Sequence, residues 1–268
     1  AGFDVVAFDR FSRPAPSSWP GDVRQVRGDF RSLADLRGAL EGVDYVFHFL
    51  SSTTPATADA APSTDVRDNL APTVEILELA VAAGVERFYY ASSGGAIYGN
   101  ASRGTFREDD PQLPISPYGI GKLAVEGYLR FFAARYEMAT YSLRISNPYG
   151  PGQRLDRPQG LIPIVLNRMR QELPITRVGD GSMVRDYVYI GDLVDMITRL
   201  VLVRPQSDCY NLGSGLGHTV NDVLNVLKTT TGLEPKIIEV EKPPSFVDRV
   251  ILDTSRFTSE FGSPHLRS

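Results

Sequence analysis

The sequence predicts an α/β protein with a doubly wound parallel sheet, followed by a smaller C-terminal α/β region. The first observation is that short apolar strand patterns alternate with helical patterns as far as Ser146. The second is a change after Asn147, where NPYGPGQRLDRPQG is rich in Pro and Gly. The third is the length of 268 residues, which can bury a sizeable core. We place one domain at 1–150, with about 186–205 returning to it, and a smaller second region at 151–268.

Each element follows from a local pattern. Four apolar segments predict strands, and they are FDVVAFD (3–9), DYVFHFL (44–50), RFYYAS (87–92) and ATYSLRIS (139–146). Three segments with apolar residues at helical spacing predict helices, and they are SLADLRGAL (32–40), DNLAPTVEILELAVAAG (68–84) and SPYGIGKLAVEGYLRFFAARY (116–136). Strands that alternate with helices pair in parallel and are covered on both faces.

Composition and charge narrow the classes of function. The net charge of −4 provides no basic field for nucleic acid or an anionic membrane. No apolar run is long enough to span a bilayer, so we expect no membrane segment. One cysteine excludes an internal disulfide and fits a cytoplasmic protein. The three histidines show no metal-ligand spacing, so we expect no metal site.

The chain opens at what we interpret as the second strand of a dinucleotide-binding fold. Such a fold needs a preceding strand and a Gly-rich turn to hold the pyrophosphate, and both are absent from this sequence. We expect an N-terminal truncation, and the alternative is a chain that does not bind a dinucleotide in the usual way. Asp9 ends the first strand pattern, where a carboxylate can bind an adenosine ribose or cap a turn. Asp29 and Phe30 follow a short strand and could clasp an adenine edge, although Gly-Asp is also ordinary turn chemistry.

Five motifs occur along the chain in an order that is typical of one protein family, and they are YYASSGGAIYGN, SPYGIGK, RISNPYGPGQ, GDGSMVRDYVYIGDL and YNLGSG. Their order resembles the extended short-chain dehydrogenase/reductase family of nucleotide-sugar epimerases and dehydratases, best known through UDP-glucose 4-epimerase. The resemblance implies a Rossmann domain that holds NAD, a nucleotide-sugar domain, and commonly a homodimer built on two helices. Here those helices would be Asn69–Ala83 and Tyr118–Tyr136. Leu123, Leu129 and Phe132 fit either a dimer face or the core.

The resemblance makes Tyr118 and Lys122 the catalytic pair. Oxidation of a sugar hydroxyl needs a base, and a tyrosine with a pKa of about 10 is mostly protonated at neutral pH. An ammonium one helical turn away favours the phenolate, and Lys122 can also reach the nicotinamide ribose. The family usually places Ser or Thr where this chain has Gly94. We expect Ser93 to supply that hydroxyl, Ser92 to lie beneath the nicotinamide, and a serine at position 94 to be tolerated.

Other positions match the family by motif. Asn69 corresponds to an asparagine that helps hold the active-site helix or the cofactor, with a helix cap as the alternative. Asn147 and Pro148 correspond to a motif that touches diphosphate and nicotinamide, with a strand-ending turn as the alternative. Leu161 corresponds to a position where backbone amides meet the diphosphate, with a core leucine as the alternative. Arg185 matches a diphosphate clamp, with an ion pair to Asp186 or Asp192 as the alternative. The family often has Arg followed by Asp near its C-terminal end, where it binds the nucleotide. This chain has Asp248 followed by Arg249, the reverse order, so Arg249 is the candidate for this position.

The residues after the expected hydroxyl distinguish members of the family. Dehydratases of this type carry Asp-Glu there and decarboxylases carry Glu, whereas this chain has Gly95 and Ala96. We therefore expect NAD-dependent 4-epimerisation of a nucleotide-diphosphate sugar through a transient 4-keto sugar. Reduction of a 4-keto nucleotide sugar is the alternative. A cofactor-binding protein without turnover is a third possibility, which Gly94 favours and the intact Tyr118 and Lys122 disfavour.

Overall fold

The computed structural model describes residues 2–13, 19, 21–100, 104–153, 155, 160–243 and 246–267. Its strands β1 to β13 are Val6–Asp9, Arg24–Arg27, Tyr45–His48, Arg87–Ser93, Thr105–Phe106, Ala139–Ile145, Asn147–Tyr149, Ile175–Val178, Val184–Tyr189, Cys209–Leu212, Gly217–Thr219, Ile237–Val240 and Arg249–Leu252. Its helices α1 to α10 are Leu33–Leu40, Pro55–Ala60, Pro62–Asp65, Ala71–Ala82, Gly94–Ile97, Pro117–Arg135, Leu161–Arg170, Ile190–Leu202, Val220–Thr231 and Ser255–Phe261. A π-helical turn, Val66–Leu70, leads into α4.

The seven elements predicted from sequence patterns are present. The helix predicted to stop at Gly84 ends at Ala82, and Gly84 adopts a left-handed φ of 76°, where an L side chain would be strained. Its first turn differs from the prediction, because residues 66–70 are π-helical and only Ala71–Ala82 is α-helical. Ser32 caps α1 by accepting a hydrogen bond from the Asp35 amide. Local sequence therefore sets these elements.

The chain divides into two compact units that differ from the predicted boundary at residue 150. The first unit comprises Ala1–Ala91 and Ala124–Tyr141, and the second comprises Ser92–Leu123 and Ser142–Ser268. The division between the units falls within β4, α6 and β6 and not in a loop. These units are defined by packing, so they do not test the prediction that 1–150 binds the cofactor and 151–268 binds the nucleotide sugar. Within the described residues, no helix is long and apolar enough to cross a membrane.

In the first unit, β1 pairs in parallel with β2, and β3 pairs in parallel with β4. The core of this unit lies between these strands and the helices α1, α4 and α6. Leu129 and Phe132 are buried in it, so they are core residues and not a dimer face. Leu123, the third residue of that predicted stripe, is partly exposed.

In the second unit, strands form a sheet in the order β11-β9-β13-β5, and β7 pairs in parallel with β9. β10 pairs in parallel with the Ser142–Ile145 part of β6, and β8 pairs in parallel with β12. One apolar cluster joins Tyr98 and Phe106 to Leu252 of β13. A second apolar cluster packs α7 and α9 on β8. The N-terminal end of α7 lines a cavity together with Asn147 and Arg185.

Candidate active site

The N-terminal turn of α6 presents the predicted catalytic pair. Ser116 caps the helix, since its hydroxyl accepts a hydrogen bond of 3.2 Å from the Gly119 amide. Pro117 occupies the first helical position, where its lack of an N–H has no cost. Lys122 lies one turn beyond Tyr118, and its Nζ atom is 5.5 Å from the centroid of the Tyr118 ring. The Lys122 side chain is buried, with 8% of the residue exposed, so its charge acts in a poorly solvated setting.

The end of β4 carries the two candidate hydroxyls. Ser92 is buried, whereas Ser93 is partly exposed and precedes α5. The Ser93 side chain does not cap α5 and makes no hydrogen bond with any other described residue. Its hydroxyl is therefore available to a ligand. This arrangement supports the choice of Ser93 over Ser92, which remains a prediction.

The structure gives a reason to revise the expectation that serine is tolerated at position 94. A Cβ atom on Gly94 would lie 2.5 Å from Leu252 Cδ1 and 2.7 Å from its Cδ2. Leu252 is 1% exposed and belongs to a buried apolar cluster, so its methyl groups cannot move into solvent. In this chain a leucine side chain occupies the space beside Gly94.

Four predicted ligand-binding residues line one cavity in the second unit. The cavity has a volume of about 240 Å³, and its walls include Asn147, Pro148, Leu161 and Arg185. These residues come from β7, the start of α7, and β9. Gly160 precedes α7 and has no side chain to cap it, so the first amides of this ten-residue helix are available to an anion.

Arg185 is held by backbone oxygens on the wall of this cavity. Its Nη2 donates to the Val247 carbonyl at 2.6 Å, and its Nη1 donates to the Val184 carbonyl at 2.9 Å. No carboxylate of the described residues lies within 4.0 Å of the guanidinium, so the alternative of an ion pair with Asp186 or Asp192 is wrong. Burial lowers the pKa of Arg185. A partly buried cation that has no carboxylate of the described residues within 4.0 Å is a favourable partner for phosphate.

Asp186 and Asn147 brace the same wall. The Asn147 Nδ2 donates to the Asp186 carbonyl at 2.9 Å, which orients the Asn147 amide. The Asp186 carboxylate is buried and accepts hydrogen bonds from the Ser214 amide, the Ser214 hydroxyl and the Leu252 amide. Asp186 therefore stabilises the loop after β10 and does not face the cavity as a charge partner of its neighbour Arg185.

Arg249 lies outside the cavity wall just described. It begins β13, where its backbone pairs with Val184, and its side chain is exposed and covers Gly104 with its aliphatic part. A Cβ atom on Gly104 would come within 2.7 Å of Arg249 Nε. The structure therefore does not place the Arg249 side chain among the residues that line the cavity, and its nucleotide-binding role remains a prediction.

Several residues that line the cavity were not predicted as site residues from the sequence, and they are Gln153, Arg177, Met183, Tyr187 and Phe246. A signal existed for Tyr187, because it lies two residues beyond Arg185 in β9 and so shares its face of the strand. Arg177 and Phe246 lie on separate elements, and no local pattern connects them to Arg185. Within the described ranges, no group of three His, Cys, Asp or Glu side chains could hold a metal ion.

In the first unit, Asp9 ends β1, as its predicted ribose contact requires. Its Oδ1 accepts a hydrogen bond of 2.7 Å from the Phe11 amide. This is the turn-capping alternative, and the second carboxylate oxygen makes no hydrogen bond with the described residues. The position fits a ribose diol, because a hydroxyl can donate to that second oxygen.

The two residues predicted to clasp adenine have different surroundings. Arg31 forms a bidentate pair with Asp29, with contacts of 3.1 and 2.8 Å, and its hydrogen bonds lower the pKa of Asp29 to about 2. Asp29 and Arg31 border an open cavity of about 440 Å³. Phe30 is buried in the core beside the His48 ring. An adenine ring could therefore meet Asp29 at the surface but not the face of Phe30.

Asn69 lies in the π-helical turn and braces the loop after β3. Its Oδ1 accepts from the Ser52 amide at 2.8 Å, and its Nδ2 donates to Thr53 Oγ1 at 2.7 Å and Asp65 Oδ1 at 2.8 Å. The side chain therefore does not act as a simple helix cap, which was the alternative. It holds a loop at the carboxyl end of a parallel strand, the edge at which doubly wound folds bind ligands.

Comparisons with known proteins agree with this geometry. Residues 1–213 match the NAD dependent epimerase/dehydratase family. The chain is 34% identical to dTDP-4-dehydro-6-deoxyglucose reductase from Escherichia coli over 81% of this chain and 68% of that protein. It is 30% identical to UDP-glucose 4-epimerase from Mycolicibacterium smegmatis over 85% of this chain and 74% of that protein.

A solved structure gives the same result for the fold. UDP-glucose 4-epimerase from Thermus thermophilus, in complex with NAD, superposes with a TM-score of 0.91 at 29% identity. The match covers 98% of this chain and 87% of that one. The doubly wound fold expected from the strand and helix alternation, and the Rossmann domain implied by the resemblance, are therefore confirmed. The chain belongs to the NAD-dependent epimerase/dehydratase family of nucleotide-sugar enzymes.

Proposed function

We propose that the protein epimerises a nucleotide-diphosphate sugar at C4, by oxidation to a transient 4-keto sugar and reduction on the opposite face. The observation that carries this proposal is the Arg185 guanidinium, which lines a cavity and has no carboxylate of the described residues within 4.0 Å. It shares that cavity with the uncapped start of α7. A diphosphate supplies the missing negative charge to both groups. Asn147, whose amide is held by the Asp186 carbonyl, supports the same ligand.

NAD, when bound, supplies the acceptor for the hydride that leaves the sugar carbon. Asp9 and Asp29 would contact its adenosine half, and Asn69 holds the loop beside it. Tyr118 as phenolate accepts the proton of the C4 hydroxyl and returns it when the sugar is reduced. Lys122 stabilises the phenolate through its buried ammonium, and Ser93 donates a hydrogen bond to the reacting oxygen.

Reduction of a 4-keto nucleotide sugar is the second candidate, because one relative is a dTDP-4-dehydro-6-deoxyglucose reductase. The two reactions use the same Tyr118 and Lys122 but differ in redox balance. Epimerisation returns the hydride to the sugar, whereas the reductase consumes one NADH for each sugar. Gly95 and Ala96 lack the ionisable groups for elimination of water, so dehydration is disfavoured.

Product analysis by NMR tests the proposal. The protein is incubated with UDP-glucose, UDP-galactose, UDP-glucuronic acid and dTDP-glucose, and separately with a dTDP-4-keto sugar and NADH. A 4-epimer formed without net NADH consumption supports epimerisation. Stoichiometric NADH oxidation with the keto sugar alone supports the reductase. The absence of any product under both conditions would contradict both candidates.

We also propose a homodimer that uses the exposed face of α6. Tyr128 and Phe131 are 43% and 56% exposed on this helix, whereas the neighbouring Leu129 and Phe132 are buried. A second copy would cover these rings and remove their apolar surface from water. Light scattering of the wild type and of Phe131→Arg tests this point. A monomeric wild type, or a variant that still dimerises with equal affinity, would contradict it.

A further inference from the structure

The first turn of α6 contains a glycine that helix chemistry does not favour. Gly119 is the third residue of the helix, and its φ is not in the left-handed region. Alanine is more favourable than glycine at such a position. The hydrogen bond from the Gly119 amide to Ser116 Oγ could be made by any residue other than proline. Neither backbone conformation nor capping therefore explains this glycine.

Close packing against α5 explains it. A Cβ atom on Gly119 would lie 2.4 Å from the carbonyl oxygen of Ala96, 3.1 Å from its carbonyl carbon and 3.0 Å from Pro114 Cβ. Ordinary contacts of this kind are 3.4–4 Å. The nearest atom, the Ala96 carbonyl oxygen, belongs to the backbone and cannot rotate away as a flexible side chain would. The turn that carries Tyr118 therefore lies directly against the segment that follows Ser93.

The α5 segment cannot move back to make room. At its start, Gly94 packs on the buried Leu252 side chain, with 2.5 Å from an added Cβ to the nearest methyl. Just beyond its end, Gly99 has a φ of 67°, and an added Cβ would overlap the Leu113 carbonyl oxygen. Three glycines at close contacts therefore enclose this short helix.

Tyr98 anchors the same segment through a buried polar network. Its hydroxyl donates to Asn211 Oδ1 at 2.7 Å and accepts from Arg144 Nη1 at 2.9 Å. The backbone amide of Asn211 in turn donates to Glu108 Oε1 at 2.8 Å. All four side chains are buried, so breaking this network would leave polar groups without partners. A displacement forced at Gly119 will therefore be taken up by the α6 turn.

We propose that Gly119 is a positioning residue that sets the separation between Tyr118 and Ser93. This proposal rests on the proposed function, in which those two side chains act on the same sugar oxygen. An added methyl group must move the turn by on the order of 1 Å to reach ordinary contact, and such a misplacement of a reacting group can cost about 100-fold in rate.

Gly119→Ala is compared with Gly38→Ala, which places the same methyl group in α1, where no atom lies within 4 Å of the added Cβ. We expect Gly119→Ala to lower kcat by about 100-fold. The KM for the nucleotide sugar and the bound NAD should stay within about twofold of wild type, because Arg185 and Asp9 are untouched. Gly38→Ala should retain wild-type kcat. Crystal structures of both variants measure the distance between Tyr118 and Ser93.

The proposal is overturned if Gly119→Ala keeps wild-type kcat, or if the Tyr118 to Ser93 distance is unchanged in its crystal structure. It is also overturned if the whole loss comes from a smaller folded fraction, measured by circular dichroism and active-site titration with NAD. If the wild type converts none of the sugars, the proposed function fails. The crystallographic distances then still decide whether Gly119 sets the position of the turn.

Discussion

The ammonium of Lys122 lies over the ring of Tyr118, with its Nζ atom 5.5 Å from the ring centroid. Both residues are on α6, one turn apart, and Lys122 is buried. An ammonium that has lost most of its water favours a nearby anion more strongly than a solvated one does. The proposed function assigns the role of proton acceptor to Tyr118 and the role of the charge that stabilises its phenolate to Lys122.

Tyr118→Phe removes the phenol oxygen and leaves the ring in place. We expect turnover to fall by at least about 100-fold, the lower end of what a general acid–base group contributes. Thermal stability and NAD binding should change little, because the ring packing is retained. Steady-state kinetics with a productive sugar and NAD titration measure the two effects. Tyr136→Phe, which removes a phenol just beyond the same helix, is the control. Activity above a hundredth of wild type would exclude Tyr118 as the base.

Arg185→Ala should weaken binding of UDP or dTDP by about 10- to 100-fold, the usual value of a charge-assisted hydrogen bond of about 1.5–3 kcal/mol. Arg185→Lys should recover only part of the loss, because lysine keeps the charge but not the planar fork. Isothermal calorimetry with each nucleotide measures the affinity. Lys228→Ala, which removes an exposed cation paired with Glu234, is the control. Equal affinity of wild type and Arg185→Ala would show that the cavity does not bind the diphosphate through this residue.

Ser93→Ala should slow turnover more than Ser92→Ala. Neighbouring strand residues point to opposite faces, and the Ser93 hydroxyl makes no hydrogen bond with the described residues. Ser92 is buried, so its loss should act mainly on stability. The two kcat values and the two unfolding midpoints are compared. Equal loss of kcat in both variants, or none in Ser93→Ala, would contradict the assignment and leave a bound water as the hydrogen-bond donor.

Gly94→Ser should destabilise the protein by about 1–3 kcal/mol, because the new Cβ overlaps the Leu252 methyl groups. Leu252→Ala opens that space, so the double variant should be more stable than the sum of the two single effects predicts. The coupling free energy should be about 0.5–3 kcal/mol. Urea unfolding of the four proteins measures it. Strictly additive free energies would mean that position 94 and Leu252 do not compete for one space.

Asp29 should make stability depend on pH at acidic values. The Arg31 hydrogen bonds hold the pKa of the folded Asp29 carboxyl at about 2, below its ordinary value of 3.8. The unfolded chain therefore binds more protons between these values, and the stabilisation is complete above 3.8 and lost as the pH falls toward 2. Urea unfolding should show that Asp29→Asn costs most stability at about pH 6 and progressively less below about pH 4. The control is Asp22→Asn, an exposed carboxylate without an ion pair to described residues. A pH-independent cost for Asp29→Asn would contradict the role of the Arg31 pair.

Local patterns in the sequence were enough to predict the main elements and to place the candidate pair Tyr118 and Lys122 on one turn of α6. Helical and strand periodicity are local, so the patterns around Val74 to Gly84 and Tyr118 to Tyr136 predict helices within two or three residues of their observed ends, apart from the π-helical first turn of the earlier one. The spacing of Tyr118 and Lys122 is local too, because four residues span one helical turn. The catalytic role predicted for them rests on the family resemblance, which five motifs in a fixed order carry.

The contacts between residues far apart in the chain became known only from the folded structure. It placed Leu252 beside Gly94, gathered Asn147, Leu161 and Arg185 around one cavity, and put Phe132 in the core. It also showed that the Arg185 charge has no carboxylate partner among the described residues. Such contacts depend on how separate elements pack against each other. The local sequence determines on which face of a helix or strand a side chain lies, but not which residues of other elements pack against that face.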